Sequence, residues 1–254
     1  MAIELADYER RTREAVALFW RTRGRARANQ EARGVVADVG GRAAVTAGKN
    51  MDGFAALVRA VVVANGLPES AVFSCHGETA VQRHATLPGF YRPVKDWDIV
   101  IVHGGRLVAA FEFKSQVGPS FGNNFNNRSE EAIGMGEDLR VAFREGLLGP
   151  PPRPYVGYLM LLEDDERSRS AVRARSDHLT VDPVFEGASY AERYRILCQR
   201  LVAEGLYDAA ALLLSPPEEG VEDGAYHELA EPHGMRTFVA GLASHVAAAV
   251  VTHE

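Results

Sequence analysis

The run Asp98-Ile-Val-Ile-Val-His-Gly-Gly-Arg-Leu-Val-Ala-Ala-Phe-Glu-Phe-Lys114 decides how this chain is read. Two β-rich stretches, 98–102 and 107–113, flank His103-Gly104-Gly105-Arg106, a turn signal that predicts an antiparallel hairpin. With the turn centred on Gly105, Asp98 falls opposite Glu112. Side chains alternate along a strand, so Glu112 and Lys114 share a face while Phe111 and Phe113 point into a core on the other. Two carboxylates and an ammonium then converge at one end of an otherwise apolar hairpin. The expectation hangs on register: a two-residue turn shifts the pairing by one and separates the acids.

Such a trio has a chemical use. Two close carboxylates repel unless a cation lies between them, and hard oxygens on a rigid strand suit Mg²⁺. A metal held there polarises a phosphoryl oxygen and acidifies a bound water. A lysine two residues on can orient that water or stabilise charge on the phosphate. Arginine cannot replace it as a base, because guanidinium does not deprotonate. Of the 28 basic residues only Lys49, Lys95 and Lys114 are lysines, so a lysine here points to a specific need. Glu-x-Lys alone is a common triplet, and a salt-bridged hairpin end in an unrelated α/β protein would show the same residues. The upstream acid, the β-rich context and the helix that follows favour chemistry. Asp96 is the local rival of Asp98, which abuts the strand and has the better parity.

Working outward, residues 3–32 read as a charged amphipathic helix and 52–65 as a second, capped by Asn50 or Asp52. A short strand is expected near 71–75, then a long loop over 76–95. Beyond the hairpin come a Gly/Asn loop at 117–127, a helix at 128–145, a strand at 155–162, a helix at 189–204, a strand at 209–214 and a final helix at 234–251. This order predicts an α/β fold, a mixed β-sheet with helices on both faces. It is expected as one domain over 1–254: an N-terminal helix and loop (1–50), a catalytic core (51–165), and C-terminal helices and strand that complete it (166–254).

The segment Gly118-Pro-Ser-Phe-Gly-Asn-Asn-Phe-Asn-Asn-Arg128 carries Ser120, Asn123, Asn124, Asn126, Asn127 and Arg128 on a loop that leads into a helix. Asparagine can pair bidentately with adenine and arginine with guanine in the major groove. Turn chemistry is the other reading, since Asn and Gly tolerate left-handed backbone. Gln116, on the face of Glu112 and Lys114, can meet a scissile phosphate or a metal-bound water, or simply close the strand end. Glu130 and Glu131 are candidates for a supporting acid or for exposed helix positions. In the 76–95 loop Arg83, His84, Tyr91, Arg92 and Lys95 can wrap DNA, and His76 and His84 lack zinc-like spacing.

Net charge is −6, which argues mildly against unselective nucleic-acid binding. Between Arg10 and Arg33, however, eight arginines face only Glu14 and Glu31, enough to meet phosphates or to form a solvated helix face. Acids collect instead at Glu163-Asp-Asp-Glu166. Cys75 and Cys198 lie far apart and read as reduced, buried thiols. The charged start after Met1 predicts no signal peptide, and the apolar stretch 238–251 is too short to span a bilayer, so a cytoplasmic protein is expected. No Gly-rich phosphate loop or Gly-x-Ser-x-Gly elbow is present, which removes the commonest NTPase and hydrolase options.

The pattern Asp98…Glu112-x-Lys114 in αβββαβ surroundings resembles the PD-(D/E)xK nuclease superfamily, with Trp97-Asp98 in place of the usual Pro-Asp. More narrowly, Lys95-Asp-Trp-Asp98, the run from Phe111 to Gly134, Arg153-Pro-Tyr155 and Leu161-Leu-Glu-Asp164 make residues 88–165 similar to the XhoI-type restriction endonucleases. That resemblance implies a Mg²⁺-dependent homodimer that cuts double-stranded DNA at the palindrome CTCGAG to leave 5′ overhangs, with a cognate methyltransferase in the same system. Asp98, Glu112 and Lys114 match the catalytic residues. Asp98, Glu112 and the main-chain carbonyl of Phe113 match the metal ligands. Two other readings stay open: a PD-(D/E)xK nuclease of DNA repair or recombination without sequence specificity, and a DNA-binding protein whose nuclease fold is inactive.

Overall fold

The computed structural model describes residues 2–32, 49–74, 85–229 and 232–252. A six-stranded mixed sheet runs in the order β1 (Val72–Ser74), β4 (Ile99–His103), β5 (Arg106–Gln116), β6 (Tyr155–Glu163), β7 (Ala209–Ser215) and β8 (His227–Glu228). β5, β6 and β7 are parallel; β1, β4 and β8 join antiparallel. One face carries α1 (Tyr8–Ala32), α2 (Asp52–Ala64) and α7 (Met235–Val251), packed through Phe19, Phe54, Val61, Phe238 and Leu242. The other carries α3 (Phe121–Arg144) and α5 (Tyr190–Ala203), packed through Phe121, Leu139, Tyr194 and Leu201. Short helices α4 (Glu166–Arg169) and α6 (Pro217–Asp223) lie in the connections. The expected α/β class, mixed sheet and two-sided helical cover are therefore what the chain adopts.

The hairpin forms with a two-residue turn, Gly104-Gly105, both at positive φ. That turn pairs His103 with Arg106 and Val102 with Leu107, the register expected to part the acids. A β-bulge between Ile101 and Val102 then restores the useful register: Ile101 pairs with Ala109, Val100 with Ala110 and Ile99 with Phe111. Val108 is the extra residue. Its burial shows the slip directly, because neighbours Val108 and Ala109 both enter the first core while Leu107 and Ala110 enter the second. From Ala109 onward the alternation is regular. Phe111 and Phe113 join the first core, and Glu112 lies on the opposite face. Gly157, paired with Phe111 on β6, leaves space for that ring: a Cβ there would lie 2.5 Å from it.

Three expectations are corrected. The loop expected over 76–95 contains, in its described part, a hairpin of β2 (Thr86–Pro88) and β3 (Val94–Asp96). Asp138 of α3 fixes its tip, accepting from the backbone N–H groups of Phe90 (2.8 Å) and Tyr91 (2.9 Å) and from Arg92 Nε (2.7 Å). Second, α3 starts at Phe121, so the asparagines lie on a helix rather than a loop. Phe121 stacks on Tyr190 at 5.9 Å and Phe125 meets Tyr194 edge-on at 5.0 Å. This burial outweighs the weak helix propensity of Asn, about 0.7 kcal/mol per residue relative to Ala. Gly122 permits the approach, since a Cβ there would lie 2.6 Å from the Tyr190 hydroxyl. Third, α1 begins at Tyr8, after Ala6 and Asp7 at positive φ, and Met51 takes the N-cap place of α2 without a side-chain bond, so neither Asn50 nor Asp52 caps it.

Candidate active site

β5 carries two of the candidate residues, Glu112 and Lys114. Glu112 is 2% exposed and Lys114 sits two residues on, its Nζ paired with Glu112 Oε1. A carboxylate so deep is tolerable only with a counter-charge, because an isolated buried ion carries a desolvation cost of several kcal/mol. Asp98 immediately precedes β4. Its Oδ2 accepts the Phe113 N–H at 2.7 Å, so the side chain extends the ladder one step past the strand end. Within a strand a residue's N–H and C=O point to the same neighbour, which turns the Phe113 carbonyl towards Asp98. Asp96 goes elsewhere: it is exposed on β3 and accepts from the Thr86 hydroxyl. The fold thus gathers Asp98, Glu112 and Lys114 and leaves out Asp96.

Burial lowers the pKa of the Lys114 ammonium below its ordinary value, and the charges of Arg128 and Lys95 add to this while Asp98 and Glu131 oppose it. Glu131 Oε2 stands 3.6 Å from Lys114 Nζ and accepts from Arg128 Nη1 at 2.9 Å. Of the paired acids read in the sequence, both exposed, Glu131 reaches Lys114. Among the described residues no three His, Cys, Asp or Glu side chains converge. A cation would therefore depend on two carboxylates plus backbone oxygen. That donor set is hard and suits Mg²⁺, and a buried glutamate beside a second acid is a place where positive charge is favoured.

The residues expected to face DNA separate. Ser120, which precedes α3, and Asn123, Asn126 and Asn127 on its first turns are exposed; Asn124 and Arg128 are half-buried. Gln116 is corrected to an interior position. It is 3% exposed, its Nε2 donates to the Phe121 carbonyl at 2.9 Å, and its Oε1 accepts from the Tyr194 hydroxyl. It fastens β5 to α3 and α5 rather than offering its amide to DNA.

The arginine-rich helix α1 packs through Ala15, Val16 and Phe19 on the sheet face opposite Glu112. Arg10 pairs with Asp7 and Glu14, and Arg11 donates to the Ala6 carbonyl. The acid run at 163–166 is also structural: Glu163 accepts the Gly118 N–H, Asp164 pairs with Arg169, and Asp165 caps α4. Cys198 is fully buried, and burial raises its thiol pKa to about 12, so it is no nucleophile. Cys75, His76, Arg83, His84 and Arg33 lie outside the described residues. No described helix is long and apolar enough to cross a membrane.

A mixed sheet that brings two acids and a lysine to the end of a central hairpin is consistent with a PD-(D/E)xK-like nuclease core. Comparison with known proteins narrows this. A family model, "Restriction endonuclease XhoI", matches residues 29–228. The chain is 49% identical over 216 residues to "Type II restriction enzyme XhoI" of Xanthomonas vasicola, covering 85% of this chain and 84% of that one. It is 52% identical over 178 residues to "Type II restriction enzyme AbrI" of Azospirillum brasilense (70% and 77% covered). With "Type II restriction enzyme BstVI" of Geobacillus stearothermophilus it shares 42% over 215 residues (83% and 92% covered). No solved structure matches it. The chain belongs to the XhoI restriction endonuclease family.

Proposed function

We propose that this type II restriction endonuclease hydrolyses both strands of double-stranded DNA at CTCGAG, with Mg²⁺, from a single nuclease domain acting as a homodimer. The observation that carries the reading is Glu112, a glutamate 2% exposed and paired with Lys114, next to Phe113, whose N–H donates to Asp98 at 2.7 Å. Asp98, Glu112 and the Phe113 carbonyl would hold the Mg²⁺. Bound there, the ion supplies Lewis acidity towards a phosphoryl oxygen and a more acidic water. Lys114 presents its ammonium N–H groups to the scissile phosphate or the attacking water, and its partial burial strengthens that interaction. Phe111 and Phe113 keep β5 rigid beneath the pair, so the polar groups need little rearrangement on reaction.

Base reading belongs to the start of α3. Ser120 is its N-cap residue and Asn123, Asn124, Asn126 and Asn127 lie on its first two turns, and a helix N-terminus presents free N–H groups to phosphate. A palindromic target is met by two copies related by a two-fold axis, each cutting one strand. A methyltransferase that modifies the same sequence would protect the host's own DNA. The test is digestion of a plasmid with one CTCGAG site, with Mg²⁺ and with EDTA. One Mg²⁺-dependent cut with 5′ overhangs supports the reading in full. Degradation at many sites would favour a nuclease without sequence specificity, and no cutting would leave only a DNA-binding role.

A further inference from the structure

Glu131 is not required by the chemistry above, yet it touches the lysine on which that chemistry turns. Arg128, Glu131, Lys114 and Glu112 alternate in charge from α3 down to β5: Arg128 Nη1 to Glu131 Oε2 at 2.9 Å, Glu131 Oε2 to Lys114 Nζ at 3.6 Å, and Lys114 to Glu112. The two carboxylates on Lys114 differ in kind. The Glu112 side chain is 3% exposed and that of Glu131 is 45% exposed. A cation shared by Asp98 and Glu112 would draw on the same glutamate that holds the ammonium. A lysine with Glu112 as its sole anchor would lose its tether as the cation arrives. An ammonium has three N–H donors and can serve both carboxylates.

We propose that Glu131 is a positioning residue that keeps Lys114 in place while Glu112 serves the cation. This rests on the reading of Lys114 as catalytic. Arg128 fixes Glu131 in turn. The arginine side chain is only 21% exposed and lies within charge range of Tyr158 and Tyr194. Its Nε is buried with no acceptor among the described residues, and its Nη1 donates to Glu131. A surface glutamate samples many rotamers; one paired with a half-sunken arginine three residues back on the same helix samples few.

Glu131→Gln keeps the shape and removes the charge, and Glu131→Asp keeps the charge. Single-turnover cleavage of a CTCGAG duplex with Mg²⁺ should slow about tenfold in E131Q and partly recover in E131D, with KM unchanged. DNA binding without a divalent ion should be unchanged or tighter, since a negative charge is gone. The readout independent of turnover is the ammonium resonance of Lys114 in ¹⁵N-lysine protein, resolvable because Lys49 and Lys95 are the other two lysines. It should move in E131Q while the Lys49 signal stays. A Lys114 signal unmoved in E131Q overturns the proposal whatever the rate. So does a rate at the wild-type level, a loss confined to KM, or a rate loss explained by an equal loss of folded protein. Full-rate cleavage by Lys114→Ala would instead fail the catalytic reading, and the ammonium signal still tests the tether.

Discussion

The two faces of β5 use one strand for opposite purposes. On one, Val108, Ala109, Phe111 and Phe113 sit in an apolar core with α1, α2 and α7. On the other, Glu112, Lys114 and Gln116 alternate with them beneath α3 and α5, each with a polar partner. The apolar face contributes stability by burial and needs only volume and shape. The polar face contributes little net stability, because pairing mainly offsets desolvation, yet it depends on placement to a fraction of an ångström. A period of two lets adjacent residues carry stability and chemistry without sharing atoms. The two sets of residues should therefore fail in different assays.

The largest contrast comes from Lys114→Ala. Cleavage should fall by more than about 10³-fold while duplex binding persists, measured by single-turnover digestion beside an electrophoretic shift assay. Unchanged cleavage would remove the lysine from the mechanism. Phe111→Ala should act on the other axis, costing about 3–5 kcal/mol of stability in denaturant unfolding, with the molecules that remain folded cutting normally. A catalytic defect in that folded fraction would show that the faces are coupled. Asp98→Asn should reduce Mg²⁺-supported cleavage about 10²-fold and Asp96→Asn should leave it within about twofold; the reverse order would exchange the two aspartates.

Gln116→Ala tests a polar residue assigned to structure. It should cost about 1–3 kcal/mol by leaving the buried Tyr194 hydroxyl without its acceptor and removing the bond to the Phe121 carbonyl, and leave DNA affinity alone. Weakened binding with full stability would return Gln116 to the DNA. The smallest effect belongs to Asn123→Ala, about 1 kcal/mol in cognate binding and none on random duplex. Equal losses on both sequences would make it a phosphate contact rather than a base reader.

The hairpin was legible because its signals are local: β-branched runs, a Gly-Gly turn, and an alternation that set Glu112 against Phe111. Fold class followed from element order, and the lysine stood out against a chain that elsewhere prefers arginine. The asparagine segment misled for an equally local reason. Asn and Gly favour turns, and the aromatic partners that make it helical, Tyr190 and Tyr194, lie more than sixty residues away. Gln116 shared the parity of the site, but its depth depends on Phe121 and Tyr194 closing over it. Glu131 was visible as one of two acids; knowing which one reaches Lys114 required the helix to start at Phe121.

By itself the sequence determined the order of elements, the face on which Glu112 and Lys114 lie, and the candidate reactive groups, because those depend on short-range periodicity and side-chain chemistry. Tertiary structure decided whether they meet. The Gly104-Gly105 turn alone sets a register that parts Asp98 from Glu112, and the single extra residue Val108, buried in the first core, restores it. That choice is made by packing across the sheet, where a one-residue slip would turn Phe111 and Phe113 out of the core.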